Sequence, residues 1–155
     1  MKGYDYLEKI INFSQDINWL INIGNSISEV KWTDKTNQKV TFFHNLKKED
    51  QIELIKSSDV FLSTSRVEGF GIALAEALYL GLECIVSKDC RVFKEFKNFN
   101  NLTYVDIKSP KKVIEAIKLR CKENSAKIRR KSFPFTQTLL IKKSLDIYKT
   151  LIWKY

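Results

Sequence analysis

The stretch SRVEGFGIALAEAL, residues 65–78, places Glu68 before two glycines that flank Phe70, then runs into alanines and leucines that hold Glu76. Glycine at positions 69 and 71 lets the backbone take positive φ and come close to a neighbour, which a residue with a Cβ tolerates poorly. A loop that enters a helix near Gly71 aims free N–H groups and the positive end of the helix dipole at whatever lies beyond. Phosphate and other oxygen-rich groups suit such a place. The two glutamates stand eight residues apart. With a helix starting near Gly71, Glu76 falls in its second turn while Glu68 stays in the loop. A carboxylate so placed can accept both hydrogens of a vicinal diol such as a ribose, through charged hydrogen bonds worth roughly 1.5–3 kcal/mol. The same pattern also describes a helix cap beside one solvated glutamate, because glycines and glutamates near a helix start are common.

The residues leading into this stretch, DVFLSTS (Asp59–Ser65), read as a strand. So do NWLINIG (Asn18–Gly24), KVTFF (Lys39–Phe43), LECIVS (Leu82–Ser87) and LTYVD (Leu102–Asp106). Amphipathic segments alternate with them. Tyr4–Phe13 sets Leu7, Ile10 and Ile11 on one helical face, and Lys48–Lys56 opens on Glu49 and Asp50 and buries Ile52 and Ile55. Pro110–Lys122 has Pro110 in its first turn and Val113, Ile114 and Ile117 at helical spacing. This alternation predicts an α/β fold, a doubly wound parallel sheet of Rossmann-like type with right-handed crossovers and helices on both faces. Ligands of such sheets bind outside the carboxyl ends of the strands, and the loop after DVFLSTS lies at one of those ends.

A chain of 155 residues suits one domain with a single core. Hydrophobic residues at 44% and charged residues at 29%, with only 5 glycines and 2 prolines, exclude a disordered or fibrous chain. The longest apolar stretch, Ile72–Val86, is broken by Glu76, Gly81 and Glu83 and is shorter than the roughly 20 residues of a membrane span. Cys84, Cys90 and Cys121 are odd in number, form no CxxC pair and follow no signal-peptide pattern, which predicts reduced thiols in a cytoplasmic protein. His44 is the single histidine; with no acid or cysteine at ligand spacing it reads as structural or exposed, and no metal site is expected. The net charge of +9 suits an anionic partner, whether nucleic acid, a lipid surface or a phosphorylated small molecule. The only dense basic cluster, KIRRK (Lys127–Lys131), lacks the glycine–aromatic interleaving of RNA-recognition modules, so no nucleic acid partner is expected. Such a cluster can touch acidic lipid headgroups in a peripheral membrane contact, although a short lone one is usually solvated.

Taken whole, STSRVEGFGIALAEALYLGLECIVS resembles the donor-binding signature of retaining glycosyltransferases of the GT-B fold, the large family 4 or group 1 type. There, E-G-F-G and a second glutamate make an E-x7-E motif. KGYDYLEKIINF is similar to the family's K-G-x-x-x-L-I-x-A-F helix, and NNLTYVDIKSPKKVIEAIK resembles its NGLLVDPGDPEALAEAI. The likeness runs from Lys2 to the final helix, with Glu68–Glu76 as its most specific part. It implies that residues 1–155 form the carboxy-terminal, nucleotide-sugar-binding half of such an enzyme. By resemblance, Glu76 holds the ribose hydroxyls, and Glu68, in the catalytic position, lies by the donor sugar and its reacting end. Gly69, Phe70 and Gly71 would lend backbone N–H groups to sugar and phosphates. Lys2 matches the lysine that neutralises the diphosphate, its alternative being a frayed terminal lysine. Ser65 sits where the family often has serine, and Thr64 replaces its frequent proline. Arg66, beside Glu68, is a candidate phosphate contact or an exposed surface arginine. Such enzymes transfer a sugar with retained anomeric configuration, usually with no bound metal or other cofactor, so cationic side chains and helix dipoles stabilise the leaving diphosphate.

The resemblance also implies parts expected to lie outside the sequence. The family's first strand of this domain, the arginine or lysine just before K-G, and the amino-terminal domain that holds the acceptor would all precede Met1. In the usual order 3-2-1-4-5-6 that strand is central, so the strands at Trp19–Gly24 and Val60–Ser63 would each face a gap. Unpaired edges are costly when buried and sticky when exposed. Either the two strands close on each other or another segment or chain fills the slot. The last segment, Gln137–Trp153, reads as a closing helix with Leu140, Ile141, Leu145, Tyr148, Leu151 and Ile152 on a broad apolar face. That face packs on its own sheet or meets an amino-terminal domain or partner chain. Three functions stay open at this point: a glycosyltransferase donor domain, a non-catalytic nucleotide-sugar-binding module, and a basic domain that binds RNA or a membrane surface.

Overall fold

The computed structural model describes residues 2–14, 16–23 and 40–128. The closing helix read at Gln137–Trp153 and the end of the KIRRK cluster lie outside the described residues. In chain order the elements are α1 (Tyr4–Phe13), β1 (Trp19–Ile23), β2 (Val40–His44), α2 (Lys48–Lys56), β3 (Val60–Ser63), α3 (Ile72–Tyr79), β4 (Glu83–Ser87), a 3-10 helix (Arg91–Phe96), β5 (Leu102–Val105) and α4 (Pro110–Ile128).

Among the described residues every strand pairing is parallel, as the alternation of strand and helix requires. Strands β3, β4 and β5 form one sheet in that order, with Val60 opposite Glu83 and Cys84 opposite Leu102. Strands β1 and β2 form a second, with Trp19 opposite Val40. Among the described residues β1 and β3 do not pair with each other, so the two strands expected to face a gap do not close it themselves.

Period-2 alternation along β4 explains the layering. All of Glu83–Ser87 is buried, yet successive side chains enter different cores. Ile85 joins Ile10 and Ile11 of α1, Trp19, Ile21 and Ile23 of β1, and Val113, Ile114 and Ile117 of α4. Cys84 and Val86 point the other way, into a core built from Leu74, Ala77 and Leu78 of α3 with Phe93 and Phe96 of the 3-10 helix. Each buried isoleucine, leucine or phenylalanine contributes about 1.5–3 kcal/mol, so these two clusters hold the helices on opposite faces of the strands.

Strands β1, β3, β4 and β5 are shorter than the apolar runs suggest, β2 is shifted to end one residue later at His44, and α4 continues six residues beyond Lys122. The 3-10 helix has no counterpart in the sequence reading, because six residues are too few for a helical period to declare itself. Cys84 and Cys90 are buried free thiols. Among the described residues no helix is long and apolar enough to cross a membrane.

Candidate functional site

Helix α3 begins where the sequence suggested. Gly71 is its N-cap, with φ 65 and ψ 39 in the left-handed region, and among the described residues no side chain caps the helix. The positive φ turns the chain sharply from loop into helix, and the ring edges of Phe93 and Phe96 would lie 3.4–3.5 Å from a Cβ at that position. The first intrahelical bond at this end runs from Ala75 N–H to Gly71 C=O. The N–H groups of the first turn therefore face outward as donors, at the positive end of the helix dipole. Glu76 lies in the second turn of α3 and Glu68 in the preceding loop, as the spacing predicts. A Cβ on Gly69 would meet nothing within 4 Å, and Phe70 is exposed.

Lys2 is not frayed. Its carbonyl accepts a hydrogen bond from Thr64 Oγ1 at 3.2 Å, and Gly3, at φ 72, presses so close to Thr64 that a Cβ there would stand 2.1 Å from the Thr64 carbonyl oxygen. This contact pins the start of the chain to the carboxyl end of β3. The Lys2 ammonium then reaches Glu68 Oε1 at 2.6 Å, and Ser65 Oγ donates to the same oxygen at 2.7 Å. Burial pushes the Glu68 carboxyl up, but the hydrogen bonds from Lys2 and Ser65 and the lysine's charge outweigh it and hold the pKa below its ordinary value of 4.5. Cys90 packs beside this loop; burial raises its thiol pKa against backbone hydrogen bonds from Phe93, Val92 and Glu68.

Glu76 also has a cation. Lys48, the first residue of α2, donates to Glu76 Oε1 in an ion pair that joins α2 to α3. The sequence reading did not single out Lys48, since a lysine at a helix start 28 residues upstream carries no motif. Arg66 turns to α1: its Nη2 donates to Asp5 Oδ1 at 2.9 Å, and its guanidinium stacks over Tyr6 with 5.0 Å to the ring centroid. His44 is exposed at the end of β2. Among the described residues no group of three or more His, Cys, Asp and Glu side chains is placed to hold a metal ion. An open cleft lined by Lys88, Lys94, Glu95, Lys97, Asn98 and Tyr104 includes none of the residues singled out from the sequence.

The arrangement thus sets two carboxylates around an uncapped helix start, each paired with a lysine from another segment. Such a place offers backbone donors and cations to an anion, and carboxylate acceptors to hydroxyl groups. No curated protein and no solved structure gives a significant match to the chain. The family model described as glycosyl transferases group 1 matches residues 9–133, a span that contains Lys48, Glu68, Gly71 and Glu76. Its extent, together with the parallel α/β architecture, settles the family: the chain belongs to the group 1 glycosyl transferases.

Proposed function

We propose that residues 1–155 are the donor-binding domain of a retaining glycosyltransferase and take a nucleoside-diphosphate sugar. The observation that carries this reading is the α3 helix start, where Gly71 leaves N–H groups uncapped between Glu68 in the loop and Glu76 in the second turn. Glu76 accepts the ribose hydroxyls. The diphosphate lies against the N–H groups of Gly69, Phe70 and Gly71 and the ammonium of Lys2, with Ser65 fixing Glu68 beside the donor sugar. Arg66 serves the phosphates only through its hold on α1 at Asp5.

In the transfer the bond from the anomeric carbon to the diphosphate oxygen breaks, and its electron pair leaves with the diphosphate. The Lys2 charge and the helix dipole stabilise that developing charge in place of a metal, and no cofactor takes part. The acceptor hydroxyl forms the new bond on the face the diphosphate vacates, which retains configuration, and its proton passes to the departing diphosphate oxygen on that face. An amino-terminal domain or a partner chain holds the acceptor, so this domain alone turns over slowly. The protein works in the cytoplasm, with a basic surface that permits peripheral contact with acidic lipid. The test is a thermal-shift screen with UDP, GDP and ADP sugars. One base should raise the melting temperature in a saturable way, and a folded protein that responds to none contradicts the reading. Release of free nucleoside diphosphate on adding the acceptor-holding domain separates an enzyme from a binding module.

A further inference from the structure

Lys48 is the feature of this site that the E-x7-E spacing does not require. Its ammonium is bonded to Glu76 Oε1, although the two residues belong to different helices. The Glu76 side chain is 9% exposed and that of Lys48 is 48% exposed, so the carboxylate is part of the packed face of α3 while the lysine reaches it from the solvent side. A largely buried carboxylate needs a cation or several donors beside it, and Lys48 supplies the cation. The backbone that carries Lys48 is itself anchored. Ile52 of α2 is buried, Ile55 packs against the core that holds α3, and Gln51 Nε2 donates to the Leu46 carbonyl at 2.9 Å in the loop before the helix. The lysine is therefore delivered to Glu76 by a fixed element.

A free glutamate side chain samples several rotamers, and a ligand that must order it binds less tightly. The bond to Lys48 orders it in advance. Because that bond engages Oε1, and a carboxylate offers about four lone-pair sites, Oε2 is left to accept from other donors. Resting on the donor-site reading above, we infer that Lys48 is a positioning residue for ribose recognition. It holds the Glu76 carboxylate in the orientation that accepts the two hydroxyls of a nucleoside and so makes the site select ribonucleoside over 2′-deoxyribonucleoside diphosphates.

The test is calorimetric titration with UDP, GDP and ADP and with their 2′-deoxy counterparts, using the wild type, Lys48→Met and Lys48→Arg. The wild type should prefer the ribonucleotide. Lys48→Met should bind it about tenfold more weakly while binding of the deoxynucleotide barely changes, so that the preference collapses. Lys48→Arg, which keeps the cation, should restore most of the preference. In a Glu76→Gln background Lys48→Met should have no further effect, and a further loss of ribonucleotide affinity in that background overturns the inference even where the Lys48→Met single variant is too unstable to titrate. An unchanged ribo-to-deoxy ratio in Lys48→Met overturns the inference, since a phosphate contact or a purely structural role weakens both ligands alike. A wild type that binds nucleotides with no ribose preference overturns the inference alone, whereas one that binds none overturns the donor-site reading and the inference with it.

Discussion

The Lys2 ammonium lies 2.6 Å from Glu68 Oε1, joining two residues 66 positions apart at the carboxyl end of β3. Lys2 and Ser65 together hold the Glu68 pKa below 4.5 against the opposing effect of burial. A carboxylate depressed in the folded state stabilises the fold above its unfolded pKa and ceases to do so as pH falls through the folded value. Lys2→Met is therefore expected to lower stability at neutral pH by less than about 1 kcal/mol, the usual scale of a partly exposed ion pair. Melting curves of the two proteins should converge in acid once Glu68 is protonated. A gap that persists undiminished there would show that Lys2 stabilises the fold by some other contact.

The three glycines of the site should respond differently to alanine. Gly3→Ala drives a Cβ to 2.1 Å from the Thr64 carbonyl at φ 72, so the backbone must shift, and the loss is expected to exceed about 2 kcal/mol. Gly71→Ala keeps ordinary contact distances to Phe93 and Phe96 but imposes a left-handed residue with a side chain, a cost of about 1–2 kcal/mol. Gly69→Ala meets no atom within 4 Å and should stay within about 0.5 kcal/mol of the wild type. Thermal or urea denaturation orders the three, and a Gly69→Ala variant as unstable as Gly3→Ala contradicts the geometry.

At the opposite end of β4, Arg120 Nη1 lies 3.2 Å from the carboxylate of Glu83, which is fully buried. Arg120 also donates to Thr103 Oγ1 at 2.8 Å. Removing one partner of a buried pair leaves a charge without its counterpart, and Arg120→Met is expected to cost about 3–5 kcal/mol. Pairing it with Glu83→Leu should recover a large part of that loss. Equilibrium urea denaturation of the single and double variants measures both, and a harmless Arg120→Met would remove the ion pair from any account of the fold's stability.

Strand β4 pairs on both edges, whereas β1 and β3 each pair on one among the described residues. Amide hydrogen exchange should therefore be slowest in Glu83–Ser87, with fast-exchanging N–H groups alternating along Trp19–Ile23 and Val60–Ser63. Uniform protection of β1 and β3 at the level of β4 would mean that another strand pairs with them.

Much of the fold was legible because its elements have strong periods. Ile10 and Ile11 of α1, and Val113, Ile114 and Ile117 of α4, are buried as their helical spacing predicts. The apolar runs marked all five strands, though not their ends, since pairing partners and not propensity set where a strand stops. Glu68, Gly71 and Glu76 were legible because the loop and the helix they share are contiguous in sequence. Lys48 was not, since its contact with Glu76 depends on how α2 packs beside α3. The partners of Arg66 were not legible either: adjacency to Glu68 left a phosphate contact and a surface arginine both open, and its contacts with Asp5 and Tyr6 depend on how α1 lies beside this loop.

The central claim is that Glu76 belongs to a nucleotide site, and calorimetric titration of the wild type beside Glu76→Ala with UDP, GDP, ADP and their sugar conjugates tests it most directly. Loss of a charged ribose contact predicts saturable binding of one base by the wild type and a roughly tenfold to hundredfold weakening in the variant. Equal affinities in the two proteins, or no binding by a folded wild type, would contradict the claim.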